Sequence, residues 1–167
     1  MRNKITDFKR FYFIGIGGIG MSALARYFNA IGLEVKGYDR TSTPLTDQLA
    51  REGIVVHFRD DPALIPDAYK NSETSLIIYT PAIPGHHLEM NYLLSKGIRL
   101  YKRSEILGWI TQQIPTLAVA GTHGKTTTSS LLTHLLISAG KNVTAFLGGI
   151  TVNYGTNFIP NHSKENI

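Results

Sequence analysis

Apolar and polar positions along this chain follow a repeated rhythm of helix and then strand. Four times a helical pattern closes on glycine and an apolar run begins at once: Gly32-Leu33-Glu34-Val35, Gly53-Ile54-Val55-Val56, Gly97-Ile98-Arg99-Leu100 and Gly140-Lys141-Asn142-Val143. Glycine takes the left-handed backbone at a helix end without steric cost. Such alternation predicts βαβ crossovers and a parallel sheet. Phe11 to Ile14, Glu34 to Tyr38 and Ser75 to Tyr79 read as strands, the first and last being continuous apolar runs suited to a sheet covered on both faces. Met21, Leu24, Ala25, Phe28 and Ile31 recur at helical spacing up to Gly32. Thr43-Pro44 opens a helix through about Glu52, with Thr43 as cap and Pro44 in the first turn. Further helices are expected from His86 to Lys96, from a Ser104 cap through Ile106, Leu107 and Ile110, and from Ser129 to Ala139.

These elements predict an α/β protein. Residues 1–113 read as a Rossmann-like parallel-sheet domain, and Gln112-Gln113-Ile114-Pro115 as a short joint. Residues 114–167 read as the beginning of a P-loop α/β ATP-binding domain, with strands at Thr116–Ala120 and Val143–Leu147 around one helix. Two strands and a helix are too few to bury a full core, so the chain is expected to be the front part of a larger enzyme. The stretch from Asn157 to Ile167 has no periodicity and is expected to fray.

Two glycine turns carry the candidate chemistry. The apolar run Pro115 to Ala120 leads into Gly121-Thr122-His123-Gly124-Lys125-Thr126-Thr127, and a helical pattern leads out. Strand, Gly-Lys-Thr turn and helix form a triphosphate cradle of main-chain N–H groups at a positive helix end. Lys125 would reach the β- and γ-phosphates, and the Thr126 hydroxyl would ligate Mg²⁺. The usual spacing asks for glycine at Val119; here it stands at Gly121, so the loop is a shortened variant. Nearer the start, Gly15, Gly17 and Gly20 fit G-x-G-x-x-G between a strand and a helix. Asp39 ends the next strand where a ribose-binding acid should sit. Alone, this fingerprint indicates a nucleotide diphosphate and leaves the nucleotide open.

Composition narrows the field. The net charge of +5 comes from 17 Lys and Arg against 12 Asp and Glu, scattered along the chain. A nucleic-acid groove would show a denser basic stripe with interleaved aromatics, so the surplus reads as favouring small anions or as a solvated surface. Cysteine is absent, which excludes disulfides and thiol chemistry. No apolar stretch reaches the roughly 18 residues of a membrane span. Met1 to Asp7 lacks the apolar core of a signal peptide. The expected setting is the cytoplasm, with no nucleic acid and no membrane as partner; the oligomeric state stays open.

Gly15-Ile16-Gly17-Gly18-Ile19-Gly20, Thr80-Pro81-Ala82-Ile83, Lys102-Arg103-Ser104-Glu105 and Ala120 to Thr127 occur in the order found in the Mur ligases, and the chain resembles that family up to about Asn157. Within the family the first glycine loop resembles the alanine-adding branch more than the branch that recycles murein tripeptide. The resemblance implies ATP-dependent amide formation between UDP-N-acetylmuramate and L-alanine in peptidoglycan synthesis, through an acyl phosphate. It implies that Gly15, Gly17, Gly18, Ile19 and Gly20 hold the UDP diphosphate. Asp39, Arg40 and Thr41 would lie near the uridine, Thr80, Pro81, Ala82 and Ile83 beside the sugar nucleotide, and Arg103 on an anion. Gly121, Thr122, His123, Gly124, Lys125, Thr126 and Thr127 correspond to the ATP loop, with Lys125 and Thr126 as its catalytic members and Thr126 on Mg²⁺. Further Mg²⁺ ligands, the adenine contacts and the amino-acid site lie beyond the match, so this stretch is expected to hold the sugar nucleotide without completing the ligation.

Two other functions use parts of the same pattern. An NAD(P) oxidoreductase would use the first glycine loop and Asp39; a non-catalytic nucleotide-binding module would use both loops for sensing. The remaining polar candidates have plainer readings. His86-His87 is a poor metal pair, because adjacent helical residues diverge and no carboxylate cluster is nearby in sequence. His123 serves anion contact or loop packing. His57 and His134 read as structural or surface residues, Trp109 and Tyr101 as packing, and Asp60-Asp61 as a solvated turn.

Overall fold

The structure, a computed structural model, describes residues 5–161. Five strands, β1 (Arg10–Ile14), β2 (Glu34–Tyr38), β3 (Val55–His57), β4 (Ser75–Tyr79) and β5 (Leu100–Lys102), form one sheet in the order β3-β2-β1-β4-β5. Every pairing in it is parallel. The helices are α1 (Ile19–Ala30), α2 (Pro44–Arg51), α3 (Leu88–Ser95), α4 (Arg103–Thr111) and α5 (Lys125–Ser138). Alternate side chains of β1 divide the core. Phe11 and Phe13 pack with Leu24, Phe28, Leu49, Ile106 and Ile110 on one face; Tyr12 and Ile14 pack with Ile65, Tyr69 and Leu93 on the other. Chain order reverses direction between β1 and β4, which opens a crevice at their C-terminal ends.

The expected rhythm is present. The glycines that close the four helix-to-strand junctions have φ between 71° and 87°. Thr43 caps α2, accepting from the Thr46 amide at 3.3 Å, with Pro44 in the first turn. Other boundaries shift. α4 starts at Arg103, so Ser104 lies inside its first turn, and the Glu105 carboxylate accepts from the Lys102 amide at 2.7 Å. α5 starts at Lys125, earlier than the apolar spacing indicates, because the polar run Lys125 to Thr128 is already helical.

The region after the joint differs more. Thr116–Ala120 forms no strand, and Leu117 is exposed. An apolar run becomes a strand only when a neighbour takes up its N–H and C=O groups, and no described strand lies beside it. The expected strand at Val143–Leu147 shrinks to β6 (Ala145–Phe146), which pairs antiparallel with β7 (Phe158–Ile159). The expectation that the chain frays from Asn157 is corrected here, since Asn157, Phe158 and Ile159 are buried. The rest of that expectation, on His162–Ile167, and the reading of Met1 to Lys4 lie outside the described residues. Among the described residues no helix is long and apolar enough to cross a membrane.

Candidate functional site

The first glycine turn sits at the crevice between β1 and β4. Gly15 has φ +87°, and a Cβ there would lie 2.7 Å from Thr80 Cγ2 and 3.2 Å from Ile83 Cδ1. A Cβ on Gly17 would meet the Asp39 carboxylate at 2.8 Å, and one on Gly20 would meet Arg103 Nη1 at 2.9 Å. Each glycine therefore leaves room for a side chain arriving from the end of another strand: Thr80 and Ile83 after β4, Asp39 after β2, Arg103 after β5. The Gly17 amide donates to Asp39 Oδ2 at 2.6 Å, and the Thr41 amide approaches Asp39 Oδ1 at 3.4 Å. Gly18 stands at the N-cap of α1, which therefore begins without a side-chain cap. Arg40, Thr41, Pro81 and Ala82 are exposed beside this group, and Ile19 borders it.

The second turn has the same logic. Gly121 and Gly124 take φ of +147° and +74°, and α5 also begins without a side-chain cap. A Cβ on Gly121 or Gly124 would meet nothing nearer than 3.7 Å, so the concave side is open. Lys125 Nζ folds back on the carbonyls of Gly121 at 2.6 Å and Thr122 at 2.9 Å. Thr126 Oγ1 lies 2.7 Å from where a Cβ on Gly148 would stand. Thr122, His123 and Thr127 are exposed. Open cradle, cation and hydroxyl suit a triphosphate. One hydroxyl oxygen suits a Mg²⁺ ion that draws its other ligands from phosphate and water. Gly20 of the first turn and Arg103 beside it line the same cavity of about 650 Å³ as Lys125, Thr126 and Gly148.

Sequence reasoning missed a buried polar cluster on the α3 face of the sheet. Tyr12 donates to Glu89 Oε2 at 2.7 Å and lies 2.7 Å from His57 Nε2. The Arg59 carbonyl, 3.0 Å from His57 Nδ1, can only accept, so the proton is on Nδ1 and Nε2 is an acceptor. Burial lifts the Glu89 carboxyl from 4.5 to about 7, against the hydrogen bonds it accepts. Once protonated on Oε2, Glu89 donates to the Tyr12 oxygen at 2.7 Å, which frees the Tyr12 hydrogen for the acceptor Nε2 of His57 at 2.7 Å. Burial also raises the Tyr12 hydroxyl and lowers both His57 and His87. Asp60 is no free turn residue. Its carboxylate accepts from the Leu88 and Glu89 amides at 2.8 and 3.0 Å, and His87 is a buried cap of α3. Among the described residues no group of His, Asp and Glu is arranged to hold a metal ion.

The parallel sheet with a glycine turn at its switch point defines a nucleotide-binding α/β class. The family model for "Mur ligase family, catalytic domain" matches residues 10–114, and the chain belongs to the Mur ligase family. Proteins named UDP-N-acetylmuramate–L-alanine ligase are close relatives. That of Porphyromonas gingivalis is 58% identical over 151 residues, covering 90% of this chain and 33% of the relative. That of Cytophaga hutchinsonii is 52% identical over 159 residues, covering 95% and 34%. Among solved structures, the UDP-N-acetylmuramate-alanine ligase of Thermotoga maritima aligns with a TM-score of 0.82 at 30% identity, covering 91% of this chain and 35% of that one. The UDP-N-acetylmuramate:L-alanyl-gamma-D-glutamyl-meso-diaminopimelate ligase of Neisseria meningitides aligns at 0.81 and 31% identity, covering 90% and 46%. The chain spans about a third of the length of the curated relatives it matches.

Proposed function

We propose that this chain carries the sugar-nucleotide site and the phosphate loop of a cytoplasmic ligase that joins L-alanine to UDP-N-acetylmuramate at the expense of ATP. Residues 1–113 form the UDP-sugar unit and residues 114–167 the start of the ATP unit. The observation that carries the reading is the shared cavity: Gly20 and Arg103 face the same space as Lys125 and Thr126. A reaction between a sugar-bound carboxylate and a nucleoside triphosphate needs two anion pockets opening on one volume, since positioning and charge neutralisation supply most of the catalysis.

In this reading the Ile19 and Gly20 amides at the start of α1 meet the diphosphate, while the amides of Gly15 and Ile16 donate to the Tyr38 carbonyl and that of Gly18 to the Gly15 carbonyl, holding the turn that lets the diphosphate approach. Asp39 takes a ribose hydroxyl while holding the Gly17 amide. Thr80 offers a hydroxyl from the opposite wall, and Arg103 neutralises an anionic oxygen. Lys125 leaves the Gly121 and Thr122 carbonyls to meet phosphate, and Thr126 ligates Mg²⁺. ATP, when bound, supplies the phosphoryl group that turns a carboxylate oxygen into a leaving group for attack by the amine of L-alanine. The names of the relatives support this substrate pair. An oxidoreductase reading assigns nothing to Lys125 and Thr126.

A thermal-shift panel tests the proposal. A ligand at about 100 times its dissociation constant adds roughly 2.7 kcal/mol to the folded state. UDP-N-acetylmuramate should stabilise the chain and NADH should not; the reverse order would reject the reading.

A further inference from the structure

The polar contacts of Asn157 join the two glycine turns, and the following inference rests on the functional reading of those turns. Asn157 is completely buried. Its amide nitrogen donates to the Ile19 carbonyl at 2.6 Å and to Ser22 Oγ at 2.9 Å. Its side-chain carbonyl accepts from Arg26 Nη1. Arg26, itself buried, gives its other donors to Glu52 at 2.8 to 3.0 Å and to Gln48 at 3.1 Å. Ile19 and Ser22 lie in the first turn of α1, directly behind the Gly15–Gly20 loop.

The same residue reaches the second turn through the β6–β7 hairpin. The Leu147 amide donates to the Asn157 backbone carbonyl at 2.9 Å, and Leu147 precedes Gly148, which sits against Thr126. Two strands of two residues cannot hold a hairpin unaided. This one is docked on α1 by Tyr27, whose ring lies 5.4 Å from Phe146 and 6.2 Å from Phe158. Aromatic contacts tolerate sliding; the directional bonds of a buried amide do not. Apolar packing thus supplies the attachment, and Asn157 supplies the register.

We propose that Asn157 is a positioning residue that locks the hairpin carrying Gly148 to the first turn of α1. It sets the separation of Thr126 from the first glycine turn and transmits occupancy of one turn to the other.

Hydrogen exchange of this chain, read by mass spectrometry with and without UDP-N-acetylmuramate, tests the link. Without ligand, Asn157→Ala should speed exchange about tenfold in residues 145–159 and also in 17–22 and 124–128, with β4 and β5 unchanged. Asn157→Asp keeps the acceptor for Arg26 but sets a carboxylate oxygen against the Ile19 carbonyl, so it should reproduce the effect at 17–22. Ser22→Ala removes a single partner and should act in the same direction with smaller size. In the unsubstituted chain the sugar nucleotide should protect 124–128 and 145–159 as well as 17–20. In Asn157→Ala the remote protection should vanish while that at 17–20 remains. Faster exchange confined to 145–159, or remote protection that survives the substitution, would show a local packing anchor and overturn the proposal. Absence of any protection by the sugar nucleotide would instead count against the functional reading, and the ligand-free comparison would still decide the link.

Discussion

The Asp39 carboxylate takes the amide of Gly17 at 2.6 Å, so the acid at the end of β2 holds the first glycine turn in shape. One side chain thereby serves the loop and, in the proposed function, the ribose. Asp39→Ala removes both. It leaves a half-buried N–H without its acceptor, which costs about 1–3 kcal/mol. The affinity for UDP-N-acetylmuramate should fall tenfold or more, by roughly 1.5–3 kcal/mol for a bond to a charged acceptor. Asp39→Asn keeps an oxygen for Gly17, so it should preserve the fold and lose less affinity. Calorimetric titration with urea unfolding checks both; unchanged affinity in Asp39→Ala contradicts the assignment.

Two glycines should respond oppositely to a methyl group. At Gly20 the added carbon meets the end of the Arg103 side chain, which can swing away. Gly20→Ala should change stability by less than about 1 kcal/mol while weakening sugar-nucleotide binding. At Gly37 the added carbon would lie 2.5 Å from the Phe13 carbonyl oxygen, part of the neighbouring strand. Gly37→Ala forces β1 and β2 apart and should cost about 1–3 kcal/mol in urea unfolding.

The buried cluster predicts a pH profile. The Glu89 carboxyl is raised from 4.5 to about 7, mainly by burial, so the folded chain holds that proton more tightly than the unfolded one. Its stabilising contribution is complete below about 4.5 and is lost as pH rises through about 7. His57 and His87 are lowered from 6.5 by burial; their contribution is present above that value and is lost as pH falls. Glu89→Gln mimics the protonated acid, with an N–H available for the Tyr12 oxygen. It should abolish the loss of stability on the alkaline side and leave the acid side in place. Denaturant midpoints from about pH 5 to about 8 read this directly; an unaltered alkaline slope contradicts the protonated state of Glu89.

Lys125 is exposed, and its ammonium donates to the loop carbonyls of Gly121 and Thr122. Lys125→Ala should alter stability by no more than about 0.5 kcal/mol. Any binding of Mg-ATP should be lost and sugar-nucleotide affinity retained, as measured by calorimetry. Parallel loss of both ligands would contradict separate pockets.

The parallel sheet was legible because each of its parts is coded locally. Apolar runs such as Phe11 to Ile14, cap residues such as Thr43 and helix-ending glycines such as Gly53 act within a few positions of themselves. The glycine turns were legible for the same reason. What escaped depends on distant partners. Thr116–Ala120 has the composition of a strand, but a ladder needs a neighbour. Asp60 looked like a surface turn because the amides it accepts from, on Leu88 and Glu89, come 28 and 29 positions later. Asn157 bonds Ile19 across 138 positions, which no local pattern announces. The dipeptide Gly148-Gly149 after an apolar run was the one available hint of a close approach there.

Backbone amide resonances followed during titration with UDP-N-acetylmuramate would locate the sugar nucleotide on the chain. The largest shifts are expected at Gly17, Gly18, Ile19 and Gly20, with Asp39, Thr80 and Ile83 moving with them, and a saturable change that NADH does not reproduce. Largest shifts at Gly121 to Thr127, or an equal response to NADH, would contradict the proposed sugar-nucleotide site.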